Sequence, residues 1–147
     1  MSQENVERLM ELQRMTEGAD LVKLFREQDL LSTALAQSSM SSFFHEDFEA
    51  IVGDSPGAKT YIGLAGFREL WLDWLEPWDS YRGESDEPVD LADRVLLTHT
   101  VYGRFKGSAQ EVGAPGGNIW VFRDGKIARV EFHSTRAAAL KAAGLEG

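Results

Sequence analysis

The stretch Ile119-Trp120-Val121-Phe122-Arg123-Asp124-Gly125-Lys126-Ile127-Ala128-Arg129-Val130-Glu131-Phe132 decides how the chain folds. Two runs rich in β-branched and aromatic residues flank an Asp-Gly pair, the strongest short-range hairpin signal, because both central residues of the matching turn need a positive φ. A two-residue turn pairs Arg123 with Lys126, Trp120 with Arg129 and Asn118 with Glu131. Paired residues share a face. Asn118, Trp120 and Phe122 are therefore expected beside Ile127, Arg129, Glu131 and His133, with Ile119, Val121, Ala128, Val130 and Phe132 on the other side. The first face mixes aromatics with His, Arg, Glu and Asn and reads as a ligand-facing wall. The second is bland and reads as a dimer contact.

Upstream, residues 94–106 carry the same strand texture. A turn at Gly107-Ser108 sets Leu97 opposite Asn118 and puts His99 on the Asn118 face, unless the glycine-rich residues 113–117 shift the register. Those glycines lack the helix and Lys of a phosphate loop, so they read as a bulge or irregular turn. Downstream, Ser134 or Thr135 caps a last helix that runs through Ala143 and is closed by Gly144. Before the strands, Phe67, Leu70, Trp71, Trp74 and Leu75 lie on one helical face, which reads as core, and Pro77 stops the helix. Phe48, Ala50 and Val52 suggest a short strand ending in the turn at 53–57. His45 falls in the polar turn before it. Val6, Leu9 and Met10, then Leu21, Leu24 and Phe25, give two helices separated by the turn at 16–20; Asp20 caps the second, whose pattern runs through Leu31 and Leu35 into a Ser-rich connector. Helices first and a meander afterwards make the fold class α+β.

The chain has 147 residues, which fits a single domain over 1–147 with 1–20 as an amino-terminal helical extension. Its 24 acidic residues against 15 Lys and Arg give a formal charge of −9, so nucleic acid is not an expected partner. Without Cys there are no disulfides, thiolate metal sites or cysteine nucleophiles. Neither a secretion signal nor an 18-residue apolar run is present, which leads us to expect a soluble cytoplasmic protein without a membrane partner.

Taken together, the order of elements, the motif at 60–69 (Thr-Tyr-Ile-Gly-Leu-Ala-Gly-Phe-Arg-Glu), the hairpin above and the terminal Ala137-Ala138-Ala139-Leu140-Lys141-Ala142-Ala143-Gly144-Leu145 resemble the nuclear transport factor 2-like superfamily. Within it the chain is most similar to SnoaL-like and ketosteroid isomerase-like members. The resemblance covers residues 21–145 and implies a cone-shaped curved antiparallel sheet wrapped by amino-terminal helices, cystatin-like in outline, whose mixed face lines a conical pocket. Fold does not give the reaction, because this one hosts isomerases, cyclases, dehydratases, epoxide hydrolases and noncatalytic binders.

Residue by residue, the resemblance implies four candidates for chemistry. Asn118 stands where the cyclases and isomerases carry an acid. An amide donates to an oxyanion but exchanges no proton, and losing a general acid or base costs ~10²–10⁴ in rate. The alternative is an Asn that satisfies strand-end hydrogen bonds. Asp54 lies nine residues before Gly63, the interval of the isomerase base, but its surroundings are also an ordinary turn. The isomerase tyrosine has no counterpart. Glu131 corresponds to an aspartate of the epoxide hydrolase relatives, with His99 near their arginine and Val101 where their second aspartate falls; the other reading of Glu131 is an ion pair with Arg129 or His133. His99 suits base catalysis near neutrality. Trp71, Trp120, Phe122, Arg129, His133 and Tyr61 are the expected ligand-binding set, His133 alternatively being a cap or surface residue. No pair of His has the spacing of a zinc motif, so no metal and no cofactor are expected.

Three functions stay open. One is a cofactor-independent isomerase, cyclase or hydrolase that acts on a small, largely apolar molecule, with His99 as base, Glu131 orienting it and Asn118 holding an oxyanion. Another is a noncatalytic binding module for a hydrophobic small molecule. The third is a structural dimer whose cavity is filled by Trp71, Trp74 and Trp120. A homodimer through the sheet is expected in each.

Overall fold

The computed structural model of the chain describes residues 2–32, 38, 40–53 and 59–145. The first helix, α1 (Ser2–Arg14), buries Leu9 and Leu12. The second, α2 (Val22–Glu27), is a short, wide π-type helix. Asp20 Oδ1 accepts the Val22 N–H at 3.0 Å and the Tyr81 N–H at 3.2 Å, so the expected cap also ties this segment to the sheet. The helix ends sooner than its apolar pattern does. Asp29 adopts φ +49°, and a 3-10 turn follows at Leu30–Ser32. The turned Asp29 carboxylate takes a bidentate ion pair from Arg68, Nε and one terminal nitrogen each at 2.7 Å. Leu35 lies outside the described residues.

The strands are β1 (Phe44–Val52), β2 (Lys59–Ile62), β3 (Trp78–Ser85), β4 (Val89–Asp90), β5 (Arg94–Phe105), β6 (Val112–Arg123) and β7 (Lys126–His133). Helix α3 (Gly63–Leu75) follows β2, and α4 (Arg136–Ala142) closes the described chain. The sheet runs β2-β1-β7-β6-β5-β3, with β4 beside β5. β1 is parallel to β7 and every other pair is antiparallel. The architecture is α+β with a curved, unclosed sheet, as the sequence implies. His45 sits inside β1, not in a preceding turn, and its Nε2 lies 2.5 Å from the Arg123 carbonyl oxygen. No described helix is long and apolar enough to cross a membrane.

The Asp124-Gly125 turn has both φ values positive, +55° and +78°, as the hairpin reading requires. Arg123 pairs with Lys126 and Phe122 with Ile127 as counted, but Val121 then faces Arg129 and Asn118 faces Phe132. Ala128 is the extra residue of a β-bulge, which adds curvature and reverses the faces of everything beyond it on β7. Ile127, Val130 and Phe132 thus join Val95, Leu97, Trp120 and Phe122 in the main core beneath α1, α2 and α3. Leu96 and Ile119 pack with Ala139 of α4 and Ala143 just past its end on the opposite side. The bland face expected of Ile119, Val121, Ala128, Val130 and Phe132 does not exist as one surface.

The glycine-rich residues 113–117 are regular β6, and the Leu97–Asn118 pairing expected from the turn is kept. Pro115 lies beyond the end of β7, where β6 has only β5 as partner and a missing N–H costs no second ladder. At Gly117 a Cβ would meet the Ala139 Cβ at 2.6 Å. Gly117→Val is expected to push α4 off the sheet and destabilise the fold by about 1–3 kcal/mol, read as a lower urea midpoint at unchanged slope. Thr135 Oγ1 caps α4 by accepting the Ala138 N–H at 3.0 Å.

Candidate active site

The concave side of the sheet and the helices over it enclose a cavity of about 460 Å³, a size that suits a small organic ligand. Its base comes from β5, β6 and β7, which contribute His99, Asn118, Trp120 and Phe132. Helix α3 supplies Phe67, Trp71 and Trp74, and α2 supplies Leu24 and Phe25. Thr16 and Glu17, in the turn after α1, close one side against Gly83 and Ser85 of β3. The Trp-rich stripe read as core is therefore both core and wall: Phe67 and Leu70 are buried, while Trp71 and Trp74 are partly buried and line the space.

His99 and Asn118 are brought together by strand register. Leu97 pairs with Asn118 and His99 with Gly116 on the adjacent strand, so both side chains rise from one face a single step apart. Gly116 makes this possible, since a Cβ there would lie 3.1 Å from His99 Nε2. The Leu97 carbonyl favours the protonated His99 ring but burial outweighs it, and a neutral imidazole keeps one nitrogen with its lone pair. Among the described residues the Asn118 amide makes no hydrogen bond, although the residue is nearly buried. The indole N–H groups of Trp71 and Trp120 are likewise buried without an acceptor. Both rings meet Phe132 edge-to-face, at 5.8 and 6.4 Å between centroids. Trp74 does find a partner, donating to the Tyr81 hydroxyl at 2.9 Å, and burial pushes the Tyr81 pKa up.

Other expected site residues are placed elsewhere. The bulge at Ala128 turns Glu131 and Arg129 away from the cavity, where they form an ion pair (Nε to Oε2, 3.1 Å). His133 Nε2 donates to Glu131 Oε1 at 3.3 Å, and the residue closes one edge of the cavity. The arrangement is the ion-pair reading of Glu131, not the His99-orienting one. Phe122 lies in the core on the Trp120 face but not at the cavity. Tyr61 packs between β2 and α3, its hydroxyl donating to Asp73 Oδ2 at 2.9 Å, also away from the cavity. Asp54 lies outside the described residues. Sequence reading missed Glu17, whose Oε1 accepts the Ser85 N–H at 2.7 Å beside His99. Only its place in a turn was legible, and nothing in the sequence aimed it at a cavity. Among the described residues no three His, Asp or Glu side chains gather where a metal ion would be held.

The family model described as the SnoaL-like domain matches residues 19–130. The chain belongs to the SnoaL-like family. Solved SnoaL-like and related structures share its fold. A protein named as a SnoaL-like polyketide cyclase from Jannaschia sp. CCS1 is 15% identical over 99% of this chain and 94% of its own, with a TM-score of 0.63. TerC, co-crystallised with polyporic acid, is 20% identical over 96% of this chain and 98% of its own, also at 0.63. An NTF2-like protein of unknown function from Burkholderia pseudomallei K96243 is 13% identical over 94% and 95%, at 0.62. No sequence among the curated proteins matches the chain.

In this SnoaL-like cavity, burial lowers the His99 pKa from its ordinary 6.5, against the opposing pull of Asp86, Glu17 and the Leu97 carbonyl. The ring is therefore neutral and basic at neutral pH. Because the folded value lies below the unfolded one, the unfolded chain takes up the proton first as pH falls. The stability that the neutral ring carries is complete above pH 6.5 and is lost as pH drops through the folded value. Chemical denaturation at pH 7.5 and 5.5 is expected to show a larger acid loss for the wild type than for His99→Gln.

Proposed function

We propose that this chain is a cofactor-independent enzyme that removes a proton from a small, largely apolar molecule, with His99 as the base and Asn118 donating a hydrogen bond to the oxygen on which negative charge builds. One observation carries the reading: on neighbouring strands, a neutral imidazole and an amide that no described residue hydrogen-bonds face the same apolar cavity. A base of this kind contributes ~10²–10⁴ in rate, and a preorganised donor at the developing oxyanion adds to it. Trp71 and Trp120 form the apolar bed for the ligand. The polyporic acid in the TerC crystal supports a small organic occupant for this fold, and the naming of a structural neighbour as a polyketide cyclase supports an enzyme.

Exchange into D2O tests the proposal. A panel of neutral aryl ketones with enolisable α-protons is incubated with the protein, and loss of the α-proton signal is followed by NMR. Exchange well above buffer background is expected for at least one ketone that binds. Tight binding without exchange between pH 6 and 9 would move the chain to the noncatalytic binding class, for which the missing acid at position 118 is the supporting feature. A homodimer through the outer face of β6 and β7 belongs to the same proposal, because Val121 there is only half-buried by α4. Light scattering is expected to give about twice the 16.4 kDa chain mass.

A further inference from the structure

The charges around the cavity are one-sided. Among the described residues no Lys or Arg lines it. Among the described residues Glu17 is the only carboxylate in the lining. It is an exposed residue at the rim of the cavity, tethered there: Oε1 takes the Ser85 N–H at 2.7 Å, and Ser85 is the cross-strand partner of His99. Among the described residues no cation pairs with Glu17. The rest of the wall is aromatic, with Phe25, Trp71, Trp74, Tyr81, Trp120 and Phe132 around one space.

An anion entering this space would meet a like charge and no countercharge, and burying it unpaired is costly. A neutral apolar ligand would leave the fixed carboxylate unused. An organic cation satisfies both halves of the lining. Its charge neutralises Glu17, its body lies among the rings, and aromatic faces attract a positive group through their quadrupoles. The chain's net charge of −9 raises the local concentration of such a ligand further.

We propose that the cavity selects small aromatic or alicyclic amines, with the ammonium group against the Glu17 carboxylate and the apolar body among Trp71, Trp74 and Trp120. This rests on the reading of the cavity as a ligand site, and it names the charge class of the ligand. Glu17 is the residue that sets it.

Three probes of one shape test the proposal by isothermal titration calorimetry at pH 7.5 and low salt: 2-naphthylmethylammonium, 2-ethylnaphthalene and 2-naphthylacetate. The ammonium probe is expected to bind at least tenfold more tightly than the hydrocarbon, and the carboxylate more weakly than either. Glu17→Gln keeps an oxygen for the Ser85 N–H while removing the charge. It is expected to bring the ammonium probe down to the hydrocarbon's affinity and to leave the hydrocarbon unchanged, which also shows that the variant is folded. Equal binding of ammonium and hydrocarbon, tighter binding of the carboxylate, or a preference that survives Glu17→Gln overturns the assignment. Ketone exchange without ammonium preference sinks this inference alone, ammonium preference without exchange sinks the His99 base alone, and failure of all three probes to bind together with no ketone exchange sinks both.

Discussion

His99→Gln is expected to lower catalysed α-proton exchange by ~10²–10⁴, which is roughly 3–5 kcal/mol of barrier. The substitution is chosen because the glutamine side chain can occupy the space beside Gly116, so the cavity keeps its shape. What it removes is a nitrogen that takes and returns a proton near neutrality. Glu131→Gln is the companion measurement. The bulge at Ala128 leaves that carboxylate on the far side of β7, engaged with Arg129 and His133, so exchange is expected to stay within about twofold of the wild type. The pH profile adds a second readout. Since burial lowers the His99 pKa from 6.5, the basic limb should hold through pH 7 and fall only below 6.5, and the His99→Gln profile should lack that limb. A His99→Gln rate within threefold of the wild type, or a Glu131→Gln loss as deep as that of His99→Gln, would remove the imidazole from the mechanism.

The contrast between these two residues also shows how far the sequence could be read. The Asp124-Gly125 turn, the Leu97–Asn118 register and the caps at Asp20 and Thr135 are set by short-range chemistry, namely φ preferences and side chains that reach the nearest free N–H groups. Those are local, and they were legible. His99 and Asn118 reached one face because the strands between them carry no bulge. Glu131 did not, because one extra residue at Ala128 inverts the alternation, and no residue type there announces it: Ile-Ala-Arg reads the same with or without a bulge. The shift serves the curvature of the sheet, a property of seven strands together and of the parallel partner β1, whose place beside β7 was not readable either. Glu17 stayed invisible for a similar reason. Its link to Ser85 spans 68 residues and is made by a backbone N–H that every residue but proline has. Asp29, just past the early end of α2, is likewise held by a residue far off in sequence, Arg68, 39 residues away.

Phe48→Ala is expected to cost 3–5 kcal/mol, the usual range for deleting a fully buried aromatic ring, against a total stability of ~5–15 kcal/mol for a domain of this size. Phe48 is 0% exposed and sits 4.4 Å from the Phe44 ring and 5.5 Å from Phe67, behind the cavity wall. Its removal leaves a hole ringed on every side by groups that lose their contacts, and the melting temperature should fall by roughly 10–20 °C. Phe25→Ala is the informative partner. Phe25 is also buried and stacks on Trp71 at 5.1 Å, but it borders the cavity, so part of its surface already faces empty space and has no dispersion contacts to lose. Its truncation should cost about half as much, roughly 1.5–2.5 kcal/mol, while widening the ligand space. Calorimetric melts of the two variants give the comparison directly. If Phe25→Ala destabilises as strongly as Phe48→Ala, the ring has packing partners on all sides in solution, the helices close onto the sheet, and the open volume that His99 and Asn118 need for any substrate is absent.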